Sequence, residues 1–203
     1  MVQKRIGILG GTFNPIHNGH LEIAKRALKE FKLDKVVFMP TGLPPHKGTE
    51  DLLEKGHRLR MIKRAIRGSR RFSLSRIEID RPGYSYAVDT FRRLKIKLGK
   101  NADLFYIMGL DSVNDLLTWR KPLELLKMCE FIVATRPESK MRIFKRLMKF
   151  PPLTPYAKKI HLLEMKIEIS STNIRRRLRE GQSIKGLVPQ AVERYIKEQK
   201  LYH

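Results

Sequence analysis

Cysteine is almost missing from this chain: Cys129 stands alone among 203 residues. That excludes an internal disulfide and a cysteine-based metal cluster, and the Leu, Met and Phe residues around it mark a buried thiol. No apolar run approaches the roughly 20 residues needed to span a bilayer, and the first residues lack the apolar block of a secretion signal, so the expected compartment is the cytoplasm. Repeats and low-complexity stretches are also lacking. Neither G-x-G-x-x-G nor the Gly-Lys-Ser/Thr of a P-loop occurs, so any phosphate must be held by another device. Acid is scarce, with 20 Asp and Glu against 43 Lys and Arg and a net charge of +23.

What is present suits a folded protein. With 41% hydrophobic and 31% charged residues, the chain can form one domain over residues 1–203 with a sizeable core. Its positive charge would attract polyanions of every kind, from nucleic acid to phosphorylated small molecules. The charge thickens between Lys140 and Glu180, where twelve Lys or Arg accompany three Glu. Ile143, Phe144, Leu147 and Met148 are interleaved there, which reads as a solvated helix face and not as a nucleic-acid arm. No dedicated nucleic-acid or membrane partner is therefore expected, and a homo-oligomer stays open.

Hydrophobic patterning alternates strands with helices. Buried strands are expected at "KRIGILGG" (4–11), "KVVFMPT" (35–41), "DLFYIMG" (103–109) and "EFIVATR" (130–136), an alternating strand at "FSLSRIEID" (72–80), and a last strand at "KIEIS" (166–170). Helices are expected from an Asn18 N-cap through Phe31, around Leu59–Ile66, across Ala87–Leu98, and over Ser112–Lys127. A further helix over 171–181 follows "SST" and ends at a glycine, and Pro189 opens a terminal helix to about residue 199. This order predicts an α/β fold, a Rossmann-like doubly wound parallel sheet with helices on both faces. Ligands would then sit beyond the strand C-termini.

The chemistry-bearing residues fall at those ends. "GGTFNPIHNGH" (10–20) places glycines, two histidines and a helix start directly after the first strand. Glycine lets a ligand approach the backbone, and a helix N-terminus offers unpaired N–H groups to phosphate. Taken singly, each histidine reads more readily as a surface residue, and zinc chelation would need a third ligand that the neighbourhood does not offer. Asp111 alone would be a helix cap, Lys47 a loop lysine, and Trp119 a residue at a helix end near the surface.

Taken together, "HNGH" resembles the T/H-x-G-H signature of the nucleotidyltransferase superfamily. "GGTFNPIHNGH", "PTGLPPHK", "YSYAVDT", "MGLDSVNDLLTW", "ISSTNIR" and "LVPQAVERYI" follow in the order and spacing of bacterial nicotinate-nucleotide adenylyltransferases. The resemblance covers nearly the whole chain. It implies adenylyl transfer from ATP, with Mg²⁺ carried on the phosphates, to nicotinate mononucleotide, giving nicotinate adenine dinucleotide and pyrophosphate.

By that resemblance His17, His20 and Arg175 are the catalytic residues, with His20 stabilising the α-phosphate. ATP is expected to meet Gly10, Gly11, Thr12, Phe13, Gly19, Gly109, Asp111, Ser170, Ser171 and Thr172. The nicotinate nucleotide is expected at Thr12, Lys47, Ser85, Tyr86, Ala87 and Trp119. Tyr84 and Ala87 replace the Pro and Thr frequent in the family, which leaves the acid-versus-amide preference open. The alternatives are a sister transferase using nicotinamide mononucleotide or phosphopantetheine and, more remotely, a basic nucleic-acid-binding protein. Class I tRNA synthetases share a His-x-Gly-His loop, but no K-M-S-K-S occurs here.

Overall fold

The computed structural model describes residues 3–43, 52–99, 101–109, 112, 116–135, 151–166 and 168–202. Strands are β1 (Lys4–Gly11), β2 (Lys35–Pro40), β3 (Phe72–Leu74), β4 (Ala102–Gly109), β5 (Glu130–Thr135) and β6 (Ile160–Glu164). Helices are α1 (Asn18–Glu30), α2 (Lys55–Ile66), α3 (Ala87–Leu98), α4 (Pro122–Met128), α5 (Ser171–Arg179) and α6 (Gln190–Glu198). The strands form one sheet in the order β3-β2-β1-β4-β5-β6. Every pairing is parallel.

The order reverses between β1 and β4, so the two connections leaving these strands run apart and open a crevice there. Side-chain alternation divides the core in two. Leu9, Phe105 and Ile107 face α1, α2, α5 and α6, while Ile6, Ile8, Leu104 and Tyr106 face α3 and α4. Helices on both faces explain why these strands read as continuous apolar runs.

Four expectations shift. The strand expected over 72–80 stops at Leu74. Beyond it Asp80 N–H donates to Arg76 O at 2.9 Å, and Glu78 turns inward to accept from Thr90 Oγ1 at 2.8 Å. The chain therefore coils although its sequence alternates. The helix expected over 112–127 is divided: a 3₁₀ turn covers Leu116–Thr118, and α4 starts afresh at Pro122. Lys121 before it has φ of +51°, a left-handed conformation that cannot continue a helix, and Pro122 suits a first helical turn.

The last strand is Ile160–Glu164, not 166–170. Pairing of Phe131 through Thr135 with Ile160 through Glu164 uses all of β5 after Glu130, and Ser170 instead adopts cap geometry for α5. The cap of α1 moves by one residue, since His17 holds the extended N-cap conformation and Asn18 begins the helix. Asn18 Nδ2 reaches Gly186 O at 2.8 Å.

Candidate active site

Strand β1 runs straight into the loop that carries the histidines. Gly10 has no room for a side chain, because a Cβ there would lie 2.8 Å from Tyr106 on β4. Phe13 follows with φ of +49°, a left-handed conformation costly for a residue with a Cβ. Burial holds it there. Its ring packs edge-on to His20 at 4.9 Å between centroids and against Phe38 of β2 at 5.9 Å. A cis peptide bond joins Asn14 and Pro15.

Elements distant in sequence tie this loop down. The Asn14 side-chain oxygen accepts from Leu53 N–H at 3.3 Å and from the Tyr202 hydroxyl at 2.9 Å. From α5, Arg175 donates to Asn14 O at 3.0 Å and the Ser171 hydroxyl to Pro15 O at 2.9 Å. The N-termini of α1 and α5 are thereby brought to one loop, and each offers backbone N–H groups and the positive end of a helix dipole.

His17 and His20 stack at 3.7 Å between ring centroids. His17 N–H donates to His20 Nδ1 at 3.2 Å. With Nδ1 an acceptor, neutral His20 carries its proton on Nε2, which becomes its donor. His17 is 6% exposed, and among the described residues its Nδ1 has no hydrogen-bond partner. Burial pushes the His17 pKa down to about 4. Burial and then the neighbouring His17 hold His20 well below the usual histidine value. At neutral pH, without ligand, both rings are uncharged.

The cation beneath this loop is Arg58, which sequence reasoning missed. It is 2% exposed and donates to Thr12 O at 3.0 Å, Thr41 O at 2.8 Å, Leu53 O at 3.2 Å and Gly42 O at 3.4 Å. One guanidinium thus binds the segments leaving β1 and β2 to the start of α2. Burial lowers its pKa, yet an arginine stays charged under ordinary conditions. Within "KGHRLRMIKR" nothing distinguishes it from its solvated neighbours, since its partners lie far away in sequence.

The expected pyridine side lies across Tyr106. Its ring stands over Gly10 and 6.0 Å from that of Trp119, and Trp119 is half-buried. Tyr106 was also missed, because it reads as one more core residue of a buried strand. Gly42 fits so tightly that a Cβ would lie 2.4 Å from Glu78 O. Leu43 O accepts from Ser85 N–H at 3.0 Å, and the Ser85 hydroxyl turns inward to Glu78 O at 3.5 Å. Both donors of Ser85 are thus used between loops. Tyr86 caps α3 beneath the Arg120 guanidinium, 5.0 Å from its ring centroid, and Ala87 begins the helix.

Among the other expected ATP residues, Gly11 and Thr12 are half-buried at the end of β1, and Gly19 is buried inside α1. Gly109 ends β4, and a Cβ there would meet nothing within 4 Å. Ser170 and Thr172 are exposed at the start of α5. The Ser170 oxygen accepts from Asn173 N–H at 3.2 Å, which leaves its proton free to donate. Lys47 and Asp111 lie outside the described residues.

Comparison with known proteins agrees with this geometry. The family model described as cytidylyltransferase-like matches residues 8–177. Parallel sheet, switch-point crevice and histidine loop define a nucleotidyltransferase. A relative from Thermoanaerobacter sp. (strain X514), described as a probable nicotinate-nucleotide adenylyltransferase, is 46% identical over 202 residues, covering 98% of this chain and 95% of that one. One from Moorella thermoacetica, described in the same words, is 43% identical over 201 residues, with 98% and 91% covered. The chain belongs to the nicotinate-nucleotide adenylyltransferase family. Its fold is that of the Plasmodium falciparum nicotinic acid mononucleotide adenylyltransferase solved with NaAD, at a TM-score of 0.79 and 24% identity over 98% of this chain and 97% of that one.

Proposed function

We propose that the protein transfers the adenylyl group of ATP to nicotinate mononucleotide in the cytoplasm, forming nicotinate adenine dinucleotide and releasing pyrophosphate. The observation that carries this reading is the stacked His17–His20 pair, set between two helix N-termini at the end of β1. Such a place is built for phosphate groups.

The acceptor's phosphate monoester has its second pKa near 6 and is a dianion at neutral pH. Its oxygen attacks the α-phosphorus of ATP without help from a base. A new P–O bond forms as the bond from the α-phosphorus to the bridging oxygen breaks, and pyrophosphate leaves with the electron pair. The protein's task is to align two polyanions and to meet the charge that builds on the transferred and leaving phosphates.

In this reading His20 Nε2–H donates to the α-phosphate. His17, the exposed Ser170 and Thr172 hydroxyls, the first N–H groups of α5 and Arg175 hold the leaving phosphates. Gly10, Gly11, Thr12 and Phe13 line the contact between nucleotides, and Gly109 and Asp111 flank the adenosine ribose. Trp119 and the Ser85–Ala87 segment receive the pyridine ring and its carboxylate, with Lys47 on a phosphate. Ser171 and Ser85 act by fixing their loops, since their hydroxyls are engaged there. Among the described residues no three His, Cys, Asp or Glu side chains cluster as a metal cage. In this reading a divalent ion, Mg²⁺, would enter on the triphosphate and neutralise part of its charge.

The test is incubation of the protein with ATP, Mg²⁺ and nicotinate mononucleotide, followed by chromatography. Equal amounts of dinucleotide and pyrophosphate are expected, and ATP consumed without dinucleotide would overturn the assignment.

A further inference from the structure

The net charge of +23 exceeds what a two-nucleotide site requires, and its most one-sided stretch is not the 140–180 run. Between Glu54 and Glu78 the sequence has nine Lys or Arg and no acidic residue. Helix α2 occupies the first half of it. Its apolar side, with Leu59, Met61, Ile62 and Ile66, is buried in the core. Its outer side presents Arg60, Lys63, Arg64 and Arg67, all exposed, at the i, i+3, i+4, i+7 spacing of a single helical face. Arg70, also exposed, extends the line past the helix end.

On three other helices a basic side chain is paired along its own helix. Arg26 pairs with Glu30, Arg176 with Glu180 and Lys197 with Glu193, each across one helical turn. Among the described residues none of the five basic residues on the α2 line has an acidic partner. Like charges three and four residues apart repel and weaken a helix, so a face serving solubility alone would be interrupted by Glu. Arg64 is also held in place, its guanidinium 4.2 Å from the Tyr195 ring centroid on α6.

We infer that the outer face of α2 binds the phosphate backbone of a nucleic acid. From Arg60 to Arg67 the helix rises about 10 Å, enough to reach about two neighbouring phosphates of one strand. Arginine forks suit phosphate oxygens. A lipid surface fits less well, because the apolar side a membrane-lying helix would insert is already packed in the core. This inference stands independently of the adenylyl-transfer reading.

The test is fluorescence anisotropy with a short labelled RNA and a short DNA duplex as KCl rises from about 50 to about 200 mM. Wild type is compared with Arg60→Gln/Arg64→Gln/Arg67→Gln and with Lys29→Gln/Arg93→Gln/Lys97→Gln. The second triple changes net charge equally, at exposed positions on α1 and α3. The α2 triple is expected to weaken binding at least about tenfold and to lower the log–log salt slope by about 2 to 3, while the control stays within about threefold of wild type. Adenylyl transfer and melting temperature report that the α2 triple is folded. Arg67→Glu alone gives a second reading of the same face. Equal losses in both triples, or no wild-type binding at about 200 mM KCl, would overturn the proposal. So would polyglutamate binding as tightly as RNA, which would assign the face to an acidic protein.

Discussion

His17 is buried and His20 half-buried, and the stacked pair is uncharged before substrate arrives, with measurable consequences. In the proposed reaction His20→Ala removes a donor aimed at developing charge, and little core packing. Turnover should fall about 10²- to 10³-fold with little change in melting temperature, and near-normal turnover would remove His20 from its role. His17 makes stability depend on pH. Its pKa drops from an ordinary 6.5 to about 4 on folding, so between those values the unfolded chain binds more protons, and stability rises with pH. Lowering pH from 7 to 5 should therefore cost about 2 kcal/mol through this residue. Denaturant titrations of wild type and His17→Gln check it, and an equally steep pH dependence in the variant would contradict it. The sequence disclosed these residues because helix-start chemistry and the His-x-Gly-His spacing are local. Arg58 and Tyr106 stayed hidden, because a buried cation and a site-facing aromatic are made by partners 17 to 96 residues away: Arg58 to Thr41 and Thr12, Tyr106 to Gly10.

At the scale of elements, the site is a set of strand ends stitched together by backbone acceptors. Arg58→Met would strip hydrogen bonds from Thr12 O, Thr41 O, Leu53 O and Gly42 O at once. A loss of about 2 to 4 kcal/mol is expected, with a raised KM for both nucleotides, because the loops leaving β1 and β2 loosen together. Calorimetry with steady-state kinetics checks this; an effect on only one nucleotide would contradict the shared role. Gly42→Ala acts on one side only. Its Cβ would stand 2.4 Å from Glu78 O, a backbone atom that can yield only by moving the Ser85 loop, so KM for the pyridine nucleotide should rise more than KM for ATP. Equal rises would detach that loop from the proposed pyridine pocket. The element boundaries that sequence missed have the same origin. "FSLSRIEID" alternates as a strand does, yet Thr90, from α3, draws Glu78 inward and ends the pairing. The last strand fell six residues earlier than its hydrophobic pattern suggested, because β5 sets the register and pattern alone does not.

For the molecule as a whole, the strand order was legible as a class and not as a sequence of neighbours. Apolar runs separated by amphipathic helices required a parallel sheet covered on both faces, and the observed order places its reversal between β1 and β4, where "GGTFNPIHNGH" begins. The switch point therefore falls at the histidine loop, where the sequence alone expects phosphate. Charge was the least legible property at this scale. Composition gives its sum, but only the folded helix shows that Arg60, Lys63, Arg64 and Arg67 share an exposed face. No helix among the described residues is long and apolar enough to cross a membrane. The proposed reaction is tested most directly by the rate of pyrophosphate release from ATP and Mg²⁺ with nicotinate mononucleotide, nicotinamide mononucleotide or phosphopantetheine supplied separately. The highest kcat/KM is expected with nicotinate mononucleotide, with His20→Ala suppressing it. Preference for another acceptor, or no release with any of the three, would contradict it.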